Sequence, residues 1–279
     1  MKIYGFQKTT LLDYPEHVAA TIFTGGCNFR CPFCQNAGLV HLGKADSVHE
    51  MFHGENEQHV SWDGSGKQLT QGRDGQLYDN GVISEGEVLA HLKKRQGILD
   101  GVCITGGEPT LQPDLKEFIR KVRDLGYKVK LDSNGYRPEV LKYLLEQGLL
   151  DYVAMDVKAS RENYARVVGL ERDGTELEGQ QGDKRFHLER IEESVTILKD
   201  SGIPYEFRTT AVKGLHTVEE FEEIGRWLAG SRAYFIQSYR EDGEILNGVG
   251  LESFSLKDFR EMQRLAGKYI ARVELRGIE

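Results

Sequence analysis

The stretch His17-Val18-Ala19-Ala20-Thr21-Ile22-Phe23-Thr24-Gly25-Gly26-Cys27-Asn28-Phe29-Arg30-Cys31-Pro32-Phe33-Cys34 joins a strand to a cysteine loop. His17–Thr24 is β-branched and apolar, as a buried strand is. The cysteines follow it with the spacing C-x3-C-x2-C, on a loop at the strand's C-terminal end. A short irregular loop can bend three thiolates toward one centre, and Gly25 and Gly26 permit tight bends beside it.

The same rhythm continues along the chain. Strands are expected at Gly101–Thr105, Lys128–Asp132, Tyr152–Asp156, Tyr205–Val212 and Ala233–Tyr239. They are apolar at most positions, which predicts cover on both faces. Helical periodicity marks Ser84–Lys94, Asp114–Leu125, Pro138–Gln147, Leu188–Ser201, Thr217–Leu228 and Ser255–Tyr269. Ser84 and Glu87 form a capping-box pattern. Gly126, Gly148 and Gly202 stand where helices should stop. Strand-then-helix repetition implies parallel strands with right-handed crossovers. Six such units predict an α/β fold, a partial (β/α)6 TIM-like barrel with mostly parallel strands; a doubly wound open sheet is the alternative. The chain reads as a single domain over residues 1–279, with a polar insertion at about 43–80 that suggests small hairpins. A shorter polar stretch covers Glu171–Lys184.

The chain has 279 residues, a net charge of −8 and no dense Lys/Arg stripe, so no nucleic-acid surface is expected. No apolar run is long enough for a membrane span, and the first residues do not form a signal peptide. The expected compartment is the cytoplasm. Three of the four cysteines are clustered, a pattern that suggests metal rather than a disulfide scaffold.

Three thiolates can hold three irons of a cubane, whereas electron-transfer clusters use four cysteines. Cys103 lies in the apolar strand between Val102 and Ile104 and reads as a small buried hydrophobe. Without it, one iron stays open to a ligand. Zinc or plain surface thiols remain alternatives, with His41 the nearest histidine after Cys34.

Function in such a barrel gathers at the strand ends. The second strand ends in Thr105-Gly106-Gly107-Glu108-Pro109, whose glycines admit a ligand close to the backbone and whose carboxylate can accept from an ammonium group. The third ends in Asp132-Ser133-Asn134-Gly135, also readable as a turn and helix cap. The fourth ends in Asp156-Val157-Lys158, and the fifth carries Arg208, which suits a carboxylate or a structural ion pair. Gln237 on the sixth strand and His216 just past the fifth are weaker candidates.

Together these residues resemble the radical S-adenosylmethionine (SAM) superfamily, whose signature is C-x3-C-x-aromatic-C. Phe33 fills the aromatic position. The resemblance implies one [4Fe-4S] cluster on Cys27, Cys31 and Cys34, with SAM on the open iron. It implies that Gly106, Gly107 and Glu108 meet the SAM amino group, and that Ser133 and Asn134 lie near SAM. Lys158 would approach its carboxylate with Asp156 beside it, Arg208 would pair with a carboxylate, and Gln237 would face the adenine or ribose. The run Gly5-Phe6-Gln7-Lys8-Thr9-Thr10-Leu11-Leu12-Asp13-Tyr14-Pro15 resembles the glycyl-radical-enzyme activases, in particular those of anaerobic ribonucleoside-triphosphate reductase. That implies a glycyl radical enzyme as partner and a flavodoxin- or ferredoxin-type electron donor. The insertion departs from compact activases, which points to a lid or a docking surface. A radical SAM enzyme acting on a small molecule, such as a deazapurine-type synthase, is the second reading. A non-catalytic metal-binding protein is the third.

Overall fold

The structure is a computed structural model; it describes residues 1–40, 60–62, 68–71, 77–79, 82–170, 186–240 and 245–278. His41, most of the insertion and Glu171–Lys184 lie outside the described residues. The chain divides into two compact units, one formed by Met1–Cys27 with Gly38–Val129, the other by Asn28–Ala37 with Lys130–Glu279.

In the first unit, β1 (Ile3–Thr10) pairs antiparallel with β2 (Ala19–Thr24). The short helix α1 (Ala37–Val40) begins at the unit's edge. Within the insertion, β3 (Val60–Trp62), β4 (Gln68–Gln71) and β5 (Leu77–Asp79) form a three-stranded antiparallel sheet, in keeping with the expected hairpins. Helix α2 (Glu85–Lys94) is capped by Ser84, whose Oγ accepts from the Glu87 N–H at 3.1 Å. Strand β6 (Gly101–Gly106) runs parallel to β2, with Thr24 opposite Gly106. Val102, Cys103 and Ile104 are wholly buried, so Cys103 is a core residue as expected. Helix α3 (Leu115–Asp124) buries Leu115, Phe118, Ile119 and Val122 on one face. Strand β7 (Lys128–Ser133) begins in this unit and continues into the next.

The second unit continues with α4 (Pro138–Glu146), β8 (Tyr152–Asp156), α5 (Tyr164–Val167), α6 (Leu188–Asp200) and β9 (Tyr205–Ala211). It ends with α7 (Glu220–Trp227), β10 (Tyr234–Ser238), α8 (Leu256–Ala266) and β11 (Val273–Arg276). Strands β7 to β11 are parallel in chain order. Helices α7 and α8 pack closely: a Cβ at Gly225 would lie 2.7 Å from the Ala266 Cα. Gly126, Gly148 and Gly202 follow α3, α4 and α6 with φ of +88°, +61° and +76°, as helix stops.

The fold is α/β with mostly parallel strands, and the six expected strands are present. Strands β1 and β11 add to them. One expectation needs correcting. The strands of the second unit are not apolar on both faces. Val129, Leu131, Val153, Met155, Phe207 and Ile236 form a buried apolar face. The alternate positions carry Lys130, Asp132, Tyr152, Asp156, Glu206, Arg208 and Gln237. A polar face can be buried when its charges satisfy one another. Glu206, 1% exposed, accepts from Arg276 at 2.8 and 3.0 Å and from the Tyr152 hydroxyl at 2.9 Å. Among the described residues, no helix is long and apolar enough to cross a membrane.

Candidate active site

In the first unit the Gly-Gly-Glu-Pro turn is held by backbone. The Gly107 N–H donates to the Thr24 carbonyl and the Glu108 N–H to the Gly26 carbonyl, both at 2.8 Å. These bonds lay the Gly-Gly-Glu-Pro turn against the start of the cysteine loop. No side chain fits between them. Gly106 has φ +123°, and a Cβ there would stand 2.3 Å from the Thr24 nitrogen. At Gly107 it would stand 2.1 Å from the Gly26 oxygen. The Gly26 and Cys27 N–H groups donate to Leu39 and Val40 carbonyls at 2.7 and 3.1 Å, and the Gln112 amide donates to the Gly25 carbonyl at 2.8 Å. Glu108 is 1% exposed; its carboxylate accepts from the Thr110 N–H at 3.0 Å and the Thr110 hydroxyl at 2.6 Å. Thr110 therefore fixes the orientation of the carboxylate.

In the second unit, residues 28–34 are pinned from several directions. The Arg30 N–H donates to the Val168 carbonyl at 2.9 Å, and only a glycine at 169 lets the chain pass, since a Cβ there would lie 2.4 Å from the Arg30 oxygen. The Asn134 amide donates to the Asn28 side-chain oxygen at 2.8 Å. The Asn247 and Leu246 N–H groups donate to the Pro32 and Cys34 carbonyls at 2.8 and 3.3 Å. Phe29 is buried against Tyr136, Tyr164 and Phe186, and Phe186 is stacked between the two tyrosines. Cys31 and Phe33 are buried, and the Lys158 ammonium lies 6.0 Å from the Phe33 ring centre.

Five charged side chains from β7, β8, β9 and the turn after β8 form one alternating chain. Lys130 pairs with Asp132; Asp132 meets Arg208 at 3.1 Å; Arg208 meets Asp156 at 2.8 Å; Asp156 meets Lys158 at 2.9 Å. Burial alone would push the Asp156 carboxyl up, but Arg208 and Lys158 outweigh it and hold it well below the usual carboxylate range. Burial likewise opposes the charge of Lys158, yet Asp156 and Cys31 hold its pKa above the ordinary lysine value. Asp132 is opposite Ala154 and Asp156 is opposite Arg208. Arg208 on β9 thus reaches Asp132 on β7, two strands away, and the residue of β8 opposite Asp132 is the small Ala154.

Ser133 and Asn134 are buried, and their side-chain oxygens accept from the Gly135 and Tyr136 N–H groups at 3.1 and 3.0 Å, so they also build the turn. Gln237 is half-buried at the end of β10, opposite Thr210 and Arg276. His216 is buried: its Nδ1 accepts from the Val212 N–H at 3.1 Å, which leaves Nε2–H to donate to the Lys158 carbonyl at 2.8 Å. It is a strut beneath Lys158. The reading of residues missed three parts: Lys130, the strut role of His216, and Thr110. Only Lys130 left a signal, the alternation Lys128-Val129-Lys130-Leu131-Asp132.

No disulfide joins any of the four cysteines. Among the described residues, no three His, Cys, Asp or Glu side chains are gathered as around a single metal ion. Thiolates on different irons of a cluster sit farther apart than ligands of one ion. Three cysteine thiols are donors of the kind an iron–sulfur group takes, and the Asn28 amide nitrogen next to Cys27 in the chain is buried without an acceptor among the described residues.

The pattern of the radical SAM superfamily matches residues 21–228, taking residues from both units. The chain belongs to the radical SAM superfamily. Membership implies SAM and an iron–sulfur cluster. A Methanocaldococcus jannaschii protein, provisionally named a glycyl-radical enzyme activating enzyme, is 28% identical over 279 residues, covering 99% of this chain and 96% of its own. A Saccharolobus islandicus protein, provisionally named a GTP 3′,8-cyclase, is 36% identical over 110 residues, which are 38% of this chain and 35% of its own. Streptococcus suis SuiB, solved with bound S-adenosylmethionine, superposes with a TM-score of 0.59 at 12% identity, over 92% of this chain and 50% of SuiB. This likeness carries the fold alone, and the partial barrel expected from the strand–helix rhythm is the fold of these radical SAM structures.

Proposed function

We propose that this radical SAM protein is an activase that generates a glycyl radical on a partner enzyme, with anaerobic ribonucleoside-triphosphate reductase as the preferred partner. The observation that carries this reading is the end-to-end match to the M. jannaschii protein, which leaves almost no part of either chain unaccounted for. The N-terminal run from Gly5 to Pro15 supports it. We assign one [4Fe-4S] cluster to Cys27, Cys31 and Cys34 on the strength of their spacing. Held there, the cluster would supply the one-electron reducing power for SAM cleavage, and the radical chemistry that follows would act on the partner's glycine.

The chain's own residues hold and orient. Gly106 and Gly107 let the turn close against Thr24 and Gly26 beside the SAM amino group, and Glu108, oriented by Thr110, accepts from it. Lys158 holds the SAM carboxylate, with Asp156 and Arg208 setting its position and Phe33 beneath it. Ser133, Asn134 and Gln237 lie toward the rest of the molecule. Residues 1–279 act as one radical SAM domain in the cytoplasm, supplied with electrons by a flavodoxin- or ferredoxin-type donor.

The test is anaerobic incubation of the reduced, cluster-loaded protein with SAM and the candidate reductase. A protein glycyl radical in the EPR spectrum is expected. Deoxyadenosine release without that signal would sink the reading. It would favour a small-molecule substrate, which the local match to GTP 3′,8-cyclases supports as the second reading.

A further inference from the structure

Lys130 is 2% exposed. Burying an ammonium group is costly unless a carboxylate compensates it, and Asp132 does so here. The pair does not end there. Its carboxylate also holds Arg208 at 3.1 Å, which holds Asp156 at 2.8 Å, which holds Lys158 at 2.9 Å. The order of charges is plus, minus, plus, minus, plus, so the chain carries one net positive charge. Its most open positive member is Lys158, with 17% of the side chain exposed against 2% for Lys130 and 14% for Arg208.

We propose that Lys130 is a positioning residue that sets, through these four ion pairs, how strongly Lys158 holds a carboxylate ligand. The inference rests on the reading that Lys158 faces the SAM carboxylate. Arg208 is shared: its Nη1 donates to Asp132 and its Nε to Asp156. With Lys130 present, Asp132 is largely neutralised and Arg208 can serve Asp156. Asp156 then makes a smaller claim on Lys158, whose ammonium keeps charge to spare for a ligand. Without Lys130, Asp132 draws Arg208 toward itself, Asp156 leans on Lys158, and the net charge of the chain falls to zero. Removing the charge of Asp132 does the opposite. Arg208 passes wholly to Asp156, whose claim on Lys158 relaxes.

A purely structural lysine would make no such signed prediction. The test measures SAM affinity by anaerobic equilibrium dialysis of cluster-reconstituted protein, for the wild type, K130R, K130M, D132N and the K130M/D132N double variant. K130M is expected to bind SAM about fivefold more weakly and D132N about fivefold more tightly, the scale of one partly screened charge at a few ion-pair lengths. The double variant leaves Arg208 to Asp156 as D132N does and is expected near D132N, whereas K130R is expected within about twofold of the wild type. Affinities that move in the same direction in K130M and D132N would overturn the inference, as would a double variant no better than K130M. If K130M does not fold, the D132N result decides: no gain in affinity overturns the inference. A wild type that carries its cluster but does not bind SAM would overturn the underlying reading of the site itself.

Discussion

The glycine turn of the first unit and the charged chain of the second are built by different means. In the first unit, Gly106 and Gly107 are held against Thr24 and Gly26 by backbone hydrogen bonds, with no room for a single added carbon. In the second, Lys130, Asp132, Arg208, Asp156 and Lys158 are held by opposite charge, along a chain that can redistribute. A steric fit fails abruptly, whereas a charge network fails by degrees. Substitutions on the two sides should therefore differ in kind.

The largest effect is expected from Gly107→Ala. Its Cβ would have to displace the Gly26 carbonyl, so SAM binding should fall by more than about 100-fold, with roughly 3 kcal/mol of stability lost. Equilibrium dialysis and urea denaturation measure both; binding within tenfold of the wild type would break the comparison. Next is Ala154→Leu, which enlarges the residue of β8 opposite Asp132. A graded loss of about tenfold in SAM affinity is expected, with roughly 1–3 kcal/mol of overpacking. An unchanged affinity would show that the reach across β8 does not depend on a small residue there.

His216 sharpens the contrast through pH. Burial holds its pKa below the ordinary value, outweighing the opposing pull of Glu220 and the hydrogen bonds to Lys158 and Val212, while Arg166 adds to the lowering. The folded imidazole thus stays neutral while the unfolded one takes up a proton below about pH 6.5. Its contribution to stability is complete above that pH and declines as pH falls toward the lowered folded value. Denaturation midpoints should drop between pH 7.5 and 5.5 in the wild type and less in His216→Asn; equal slopes would remove the strut's role in acid sensitivity. The smallest effect is expected from Ser84→Ala, which removes an N-cap on α2: about 1 kcal/mol less stability, with SAM affinity unchanged.

Much of this was legible in the residues. Tyr152–Asp156 is found with the expected ends, and the other five expected strands lie within two residues of theirs. Strand β1 was not read because Gly5 interrupts it; the gap exists to seat Phe23, whose ring would lie 3.0 Å from a Cβ there. Strand β11, with four residues, is too short for periodicity to mark. The helix expected from Thr217 begins at Glu220, whose N–H donates to the Thr217 hydroxyl at 3.3 Å. The cysteines and the Gly-Gly-Glu-Pro turn were readable because each chemical group is local in sequence. The ion-pair chain was not, because its members come from separated strands, and the residue of β8 opposite Asp132 is the small Ala154, which carries no chemistry of its own.

The carbonyls of Pro32 and Cys34 are held by the N–H groups of Asn247 and Leu246. A grip made by main chain has no side-chain identity to preserve. Positions 246 and 247 can drift freely among homologues while the clasp persists, with proline the one residue each must avoid. A part of the protein that steadies the cysteine loop is therefore expected to leave almost no trace in a family alignment beyond a missing amino acid.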